Sequence, residues 1–153
     1  MRWVGSLHRF RTQNSSTASE AAETKFVIIS WMENKKPVLA LIAHDNKKAE
    51  MVAWAMKHKH ELEAYELCGT GHTAKMVEDA IGRPVTKFKS GPLGGDLEIG
   101  AEVAKGGIQK MVFFWDPLQA QPHDPDVKAL MRIVAVYNIP FATNEATADC
   151  LLR

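Results

Sequence analysis

Short apolar runs alternate with amphipathic stretches of helical spacing along this chain, and that alternation constrains its fold more than any other feature. Pro37-Val-Leu-Ala-Leu-Ile-Ala43 is rich in strand formers and is bounded by Pro and by His44-Asp45-Asn46, which predicts a buried strand. Next, Ala49, Val52, Ala53 and Met56 recur at helical spacing with Lys48, Lys57 and Lys59 off that face, predicting a helix that breaks up in the charged run through Glu63. Tyr65–Cys68 predicts a second strand, and Gly69-Thr-Gly-His-Thr73 leads from it into a helix using Ala74, Val77, Ala80 and Ile81, stopped by Gly82. Val85–Phe88 is a weaker third strand. A helix using Leu97, Ala101 and Ala104 and closed by Gly106-Gly107 comes next, before the strong strand Met111–Trp115. Val127, Leu130, Val134 and Tyr137 predict a helix over 126–137, followed by a last strand over 139–143 and a helix starting near Glu145. Five β–α steps imply an α/β domain with a parallel sheet and helices on both faces.

The chain is 153 residues with 46% hydrophobic content, enough for one domain with a real core. Nineteen Lys and Arg against eighteen Asp and Glu provide no basic excess of the kind that drives sequence-independent nucleic-acid binding, whereas a small anionic metabolite needs only a few local cations. No apolar run approaches the roughly 20 residues that cross a bilayer. Cys68 and Cys150 are far apart, form no CxxC pair and suit a reducing compartment, so a cytoplasmic protein is expected. Residues 1–35 read as a flexible leader and residues 36–153 as the folded domain. In the leader, Arg2, Arg9 and Arg11 sit among Ser and Thr with no acidic residue before Glu20, and Trp3, Val4, Leu7 and Phe10 share one helical face. The alternative for residues 1–24 is an organellar transit peptide.

Loops of a parallel sheet meet at the strand C-terminal ends, and the polar clusters of this sequence fall there. His44-Asp45 follows the first strand, Thr70–Thr73 the second, Ser90–Asp96 the third, Asp116–Asp126 the fourth and Thr143-Asn144 the fifth. One shared pocket is the simplest inference.

Gly69-Thr70-Gly71-His72-Thr73 links a strand to a helix, where free N–H groups and the positive end of the helix dipole suit a phosphate, with threonine hydroxyls as further donors and Lys48 as a cation. The same letters fit a dinucleotide fingerprint, but no Asp or Glu closes the next strand near Lys87. Ser90-Gly91-Pro92-Leu93-Gly94-Gly95-Asp96 lets the backbone approach a ligand closely and ends in a carboxylate that is either a helix N-cap or a general base. Asp116, His123, Asp124 and Asp126 concentrate three carboxylates and an imidazole within eleven residues. Asp124-Pro125 is equally a helix start complemented by Asp126. A neutral His123 beside a helix N-terminus can polarise a carbonyl, as the neutral histidine of triosephosphate isomerase does. His44-Asp45 with His123-Asp124 are alternatively metal ligands, but such pairs belong on helices of all-α folds and no HExxH spacing is present. His58 and His60, in a lysine-rich stretch, read as solvated surface.

HD-N-K-K at 44–48, GTGHT at 69–73, SGPLGGD at 90–96, FFWDP at 113–117, PHDPDVKALMR at 122–132 and ATN at 142–144 resemble the methylglyoxal synthases, over roughly residues 37–150. The resemblance implies a Rossmann-like three-layer α/β domain with a five-stranded, mainly parallel sheet, assembled as a homohexamer and using no cofactor or metal. It implies a lyase acting on dihydroxyacetone phosphate. Asp96 would be the base, His123 would polarise the carbonyl, and Asp126, Asp116 and His44 would surround the reacting carbons. Gly91 would supply a backbone contact, and Lys48, Thr70, His72, Thr73 and Ser90 would hold the phosphate, with inorganic phosphate as product and inhibitor. His72 stands where the family commonly has Thr, which would make phosphate affinity depend on pH. Longer members continue into a tail whose arginine reaches a neighbouring subunit's phosphate site, so the end at Arg153 bears on inter-subunit regulation more than on catalysis. The rival reading is a non-catalytic regulatory module, since the same fold serves as the effector-binding domain of carbamoyl phosphate synthetase.

Overall fold

The structure is a computed structural model and describes residues 35–119 and 124–153. The chain divides into a unit ending at Lys35 and a second unit, Lys36–Arg153, which holds every element described below. The leader helix face and its targeting signal lie outside the described residues.

Five strands form one sheet: β1 (Val38–Ala43), β2 (Glu66–Thr70), β3 (Thr86–Phe88), β4 (Lys110–Phe114) and β5 (Phe141–Ala142). Their order is β3-β2-β1-β4-β5, and every neighbouring pair is parallel. Helices α1 (Lys48–Lys57), α2 (Gly71–Ile81), α3 (Gly95–Ala104), α4 (Asp124–Val136) and α5 (Glu145–Leu151) follow the strands in turn. The expected α/β domain of a five-stranded parallel sheet is present.

Period-two alternation in the central strand divides the core into two layers. Leu39, Leu41 and Ala43 of β1 point to the face covered by Met51, Trp54 and Ala55 of α1, Ala74, Val77 and Ile81 of α2, and Ala148 of α5. Ala40 and Ile42 point to the other face, against Ile99 and Val103 of α3 and Val127, Leu130 and Val134 of α4. Because β1 is buried on both faces and paired on both edges, it reads in sequence as a continuous apolar run.

Two helices present a different face from the one their spacing suggested. In α1 the buried residues are Met51, Trp54 and Ala55, while Ala49, Ala53 and Met56 are exposed. In α3 they are Ile99 and Val103 with Gly95 and Asp96, while Leu97, Ala101 and Ala104 face outward. Both helices are apolar around much of their circumference, and the stripe chosen by the sheet carries the bulkier set, Trp54 with Met51 in α1 and Ile99 with Val103 in α3 against Leu97 with two alanines, since burial scales with apolar area. Strand β2 runs on through Gly69 and Thr70 because Gly69 has no Cβ: one built there would stand 2.3 Å from the Leu41 carbonyl oxygen on β1. Helix α4 begins two residues before Asp126, at Asp124, with Pro125 in its first turn, and ends before the exposed Tyr137. Strand β5 shrinks to two residues, then Asn144 caps α5 by accepting from the Thr147 N–H at 2.9 Å.

His58 corrects the expectation of a solvated surface residue. Its ring packs on Trp54 at a centroid distance of 5.2 Å and its side chain is 13% exposed, whereas His60 is 93% exposed. His58 Nε2 lies 2.8 Å from Asp149 Oδ1, which also accepts from Trp54 Nε1 at 2.8 Å, so α1 and α5 are fastened by a shared carboxylate. This partner sits 91 residues further along the chain, beyond the reach of local pattern.

Candidate active site

A cleft of about 220 Å³ opens at the C-terminal ends of the strands. It is lined by Ile42, Ala43 and His44 at the end of β1, by Thr70, His72 and Thr73 where β2 becomes α2, by Ser90, Gly91, Pro92 and Asp96 after β3, and by Phe113 of β4, with Asp45 and Lys48 at its side. The sheet order reverses between β1 and β4, and crevices beside such a reversal are where open α/β sheets bind ligands.

The phosphate-type donors come from two helix starts. Thr70 precedes α2 in an extended conformation and makes no side-chain capping bond, so the first-turn N–H groups are not capped by it. Thr73 is buried, and its hydroxyl reaches the Ala43 carbonyl at 3.5 Å, holding α2 against β1. Lys48, in the first turn of α1, donates to the Asp45 carboxylate and lies 3.3 Å from His72 Nδ1. An ammonium has no acceptor, so this contact requires a lone pair on Nδ1 and puts the His72 proton on Nε2. The Lys48 hydrogen bond and charge hold the Asp45 carboxyl below its ordinary range. Sequence alone marks Asp45 as a strand-end residue and an alternative metal ligand, and assigns it no part in holding a substrate. Its signal is local: three residues before a lysine across a tight turn, it is within reach of that ammonium.

Backbone geometry, more than side-chain packing, places Asp96. Ser90 starts a 3₁₀ turn over Gly91–Leu93, and its carbonyl accepts from both Leu93 N (2.9 Å) and Gly95 N (3.0 Å), folding the loop back. Gly94 sits at φ 90°, a conformation side-chain-bearing residues rarely adopt. A Cβ at Gly95 would stand 1.9 Å from the Lys89 carbonyl oxygen, so the helix can start there only without a side chain. The N-cap is therefore Gly94, which removes the capping alternative for Asp96: it is the second helical residue, inside the first turn of α3 rather than before it. It is 6% exposed and faces the cleft. The positive end of the helix favours a carboxylate there.

His44 stands just past β1, buried, with its ring edge-on to Phe113 at 5.0 Å. Its Nδ1 accepts from the Asp116 backbone N–H at 3.2 Å. Asp116 does not line the cleft but stands behind His44, its carboxylate accepting from Asn46 Nδ2 and from Leu118 N, both at 3.1 Å. Those bonds, Asn46 first, lower the Asp116 carboxyl from its ordinary value. Asp126 is half-buried in the first turn of α4 and is not among the residues lining the cleft. His123 lies outside the described residues. The structure thus brings together His44, Lys48, Thr70, His72, Thr73, Ser90, Gly91 and Asp96, and sets Asp116 one layer back.

The arrangement offers an anion site at two helix starts with one lysine, a buried carboxylate, and imidazoles whose protons sit on Nε2. Among the described residues no three His, Cys, Asp or Glu side chains converge as a metal site, and no helix is long and apolar enough to cross a membrane.

A family model described as an MGS-like domain matches residues 50–143. The methylglyoxal synthase of Pseudoalteromonas atlantica is 54% identical over 114 residues, which cover 74% of this chain and 84% of that protein. The methylglyoxal synthase of Clostridium acetobutylicum is 52% identical over 120 residues, 78% of this chain and 83% of that one. Among solved structures, a crystal structure of methylglyoxal synthase from Elizabethkingia anophelis superimposes with a TM-score of 0.72 at 46% identity, covering 76% of this chain and 77% of the other.

Proposed function

Since the chain belongs to the family of MGS-like domains, we propose that it catalyses the methylglyoxal synthase reaction, converting dihydroxyacetone phosphate to methylglyoxal and inorganic phosphate as a carbon–oxygen lyase. The observation that carries this reading from family to chemistry is the buried Asp96 carboxylate sharing one small cleft with the Lys48 ammonium and the α2 N-terminus. A binding module has no need of that pairing.

The substrate phosphate sits against Thr70, His72, Thr73 and Ser90, with Lys48 as its counter-charge. This directs the three-carbon unit toward Asp96. Asp96 removes a proton from the hydroxymethyl carbon, and negative charge develops on the neighbouring carbonyl oxygen. Gly91 N–H, His44 and His123 stabilise it as hydrogen-bond donors, while Asp116 and Asp126 orient the surrounding groups. The enediol phosphate then expels phosphate by C–O cleavage, and the resulting enol tautomerises to methylglyoxal. Lys48 and the helix start stabilise the leaving dianion. Phosphate, as product, competes for the same donors. We further propose a homohexamer located in the cytoplasm, which light scattering and fractionation test.

Incubation of metal-stripped protein with dihydroxyacetone phosphate should release methylglyoxal and phosphate in equal amounts. Phosphate with dihydroxyacetone, appearing only when metal is added, would replace the lyase by a phosphohydrolase. Binding without either product would make it a regulatory module. Asp96→Asn should retain the fold and lose at least ~10² in turnover, within the ~10² to 10⁴ that general base catalysis supplies, and His123→Ala should also lose rate.

A further inference from the structure

Asn46 joins two segments that frame the cleft. It lies in the 3₁₀ turn Asp45–Lys47, directly after His44, and its single amide group donates to Asp116 Oδ2 at 3.1 Å and to Gln119 Oε1 at 2.6 Å. Asp116 Oδ1 meanwhile accepts from Leu118 N at 3.1 Å, closing the loop after β4 on itself. Both N–H bonds of one side chain are thereby spent on tying that loop to the His44 turn.

What the tie holds is a hydrogen bond with a fixed sense. The Asp116 backbone N–H can only donate, so His44 Nδ1 must be an acceptor and the ring proton must reside on Nε2. On the other side, His44 N donates to Phe114 O at 3.1 Å, so the residue is held from the strand and from the loop together. The groups around the ring are consistent with this sense: the Phe113 edge, the Asp45 and Asp116 carboxylates engaged by Lys48 and Asn46, and across the cleft Asp96.

We propose that Asn46 is a positioning residue for the reaction: by anchoring Asp116, it locks His44 into the neutral Nε2–H tautomer that serves as a hydrogen-bond donor in the cleft. Asn46 touches no reacting atom. It acts by keeping the Asp116 N–H on Nδ1, so that the ring neither turns nor exchanges its proton between nitrogens. The kinetic consequence rests on the lyase reading above, whereas the tautomer does not.

The test uses the full chain labelled with ¹⁵N-histidine, with His44 assigned through His44→Gln. In the unsubstituted protein, His44 should show a bare Nδ1 and a protonated Nε2 from pH 6 to 8. Asn46→Asp keeps the shape but sets a second carboxylate against Asp116. Asn46→Ala removes the amide without adding charge. Either should give His44 a mixed or titrating signal and lower kcat/KM about tenfold, the worth of a hydrogen bond to a charged group, with an altered pH profile. Gln119→Ala, which spares the Asp116 bond, should leave the tautomer in place. An unchanged His44 signal in a folded Asn46→Ala protein overturns the proposal, and so does a changed signal with unchanged kinetics. A changed signal in a protein in which no form turns over dihydroxyacetone phosphate supports the tautomer lock and refutes the lyase.

Discussion

Replacing Gly95 by Ala tests whether backbone approach positions the Asp96 carboxylate proposed as the base. The added Cβ would lie 1.9 Å from the Lys89 carbonyl oxygen, 2.7 Å from its carbon and 3.1 Å from the Ser90 carbon. Real Cβ contacts do not fall below 3.0 Å, so the loop must retreat by more than an ångström, and the obstacle is backbone that cannot swing away. Three bonds are at stake: Gly95 N to Ser90 O at 3.0 Å, Gly71 N to Lys89 O at 3.4 Å and Lys89 N to Glu98 Oε2 at 2.8 Å. Overpacking of this kind costs about 1–3 kcal/mol, read as a fall in the urea midpoint at constant m. Asp96 is the next residue, and a displacement of about 1 Å at a reacting group is worth about 10² in rate, so kcat for methylglyoxal formation should fall by about that factor. Gly94→Ala is the control: its Cβ meets nothing within 4 Å, so it bears the left-handed penalty of about 1–2 kcal/mol without driving the loop apart, and should retain far more activity. A Gly95→Ala protein with midpoint and kcat within twofold of the parent would refute the reasoning.

Trp54→Ala should destabilise by about 3–5 kcal/mol in urea unfolding, because a 1% exposed indole leaves a cavity between α1 and the sheet. The Asp149 carboxyl is held below its ordinary value, first by the Trp54 N–H and then by Lys57, so its contribution is present above the ordinary carboxylate range and is lost as pH falls through the lowered value. Asp149→Asn should accordingly flatten the fall of the urea midpoint below about pH 4 relative to the parent. Burial pushes the Cys68 thiol up to about 12, while Cys150 is exposed, so a thiol reagent at pH 8 should label one cysteine in native protein and both in urea.

The sequence by itself determined the β–α alternation, the parallel sheet and the end of that sheet at which chemistry gathers, because strand and helix periods and glycine stops are local properties. It also delivered the members of the cleft from His44 to Asp96, since loops after successive parallel strands must converge. Tertiary structure decided what depends on a partner distant in the chain. The sheet selected Met51 and Trp54 over Ala49 and Met56 as the buried stripe of α1, and Asp149 turned His58 from solvated surface into a partly buried link between α1 and α5. Contact with Lys89, through the missing Cβ of Gly95, decided that Asp96 enters the first turn of α3 instead of capping it. Asp116, carried by β4 to the side of β1, set the tautomer of His44 from 72 residues away. Each of these outcomes is a choice between locally equivalent states, and it is settled by the steric and hydrogen-bonding demands of residues that only folding brings together.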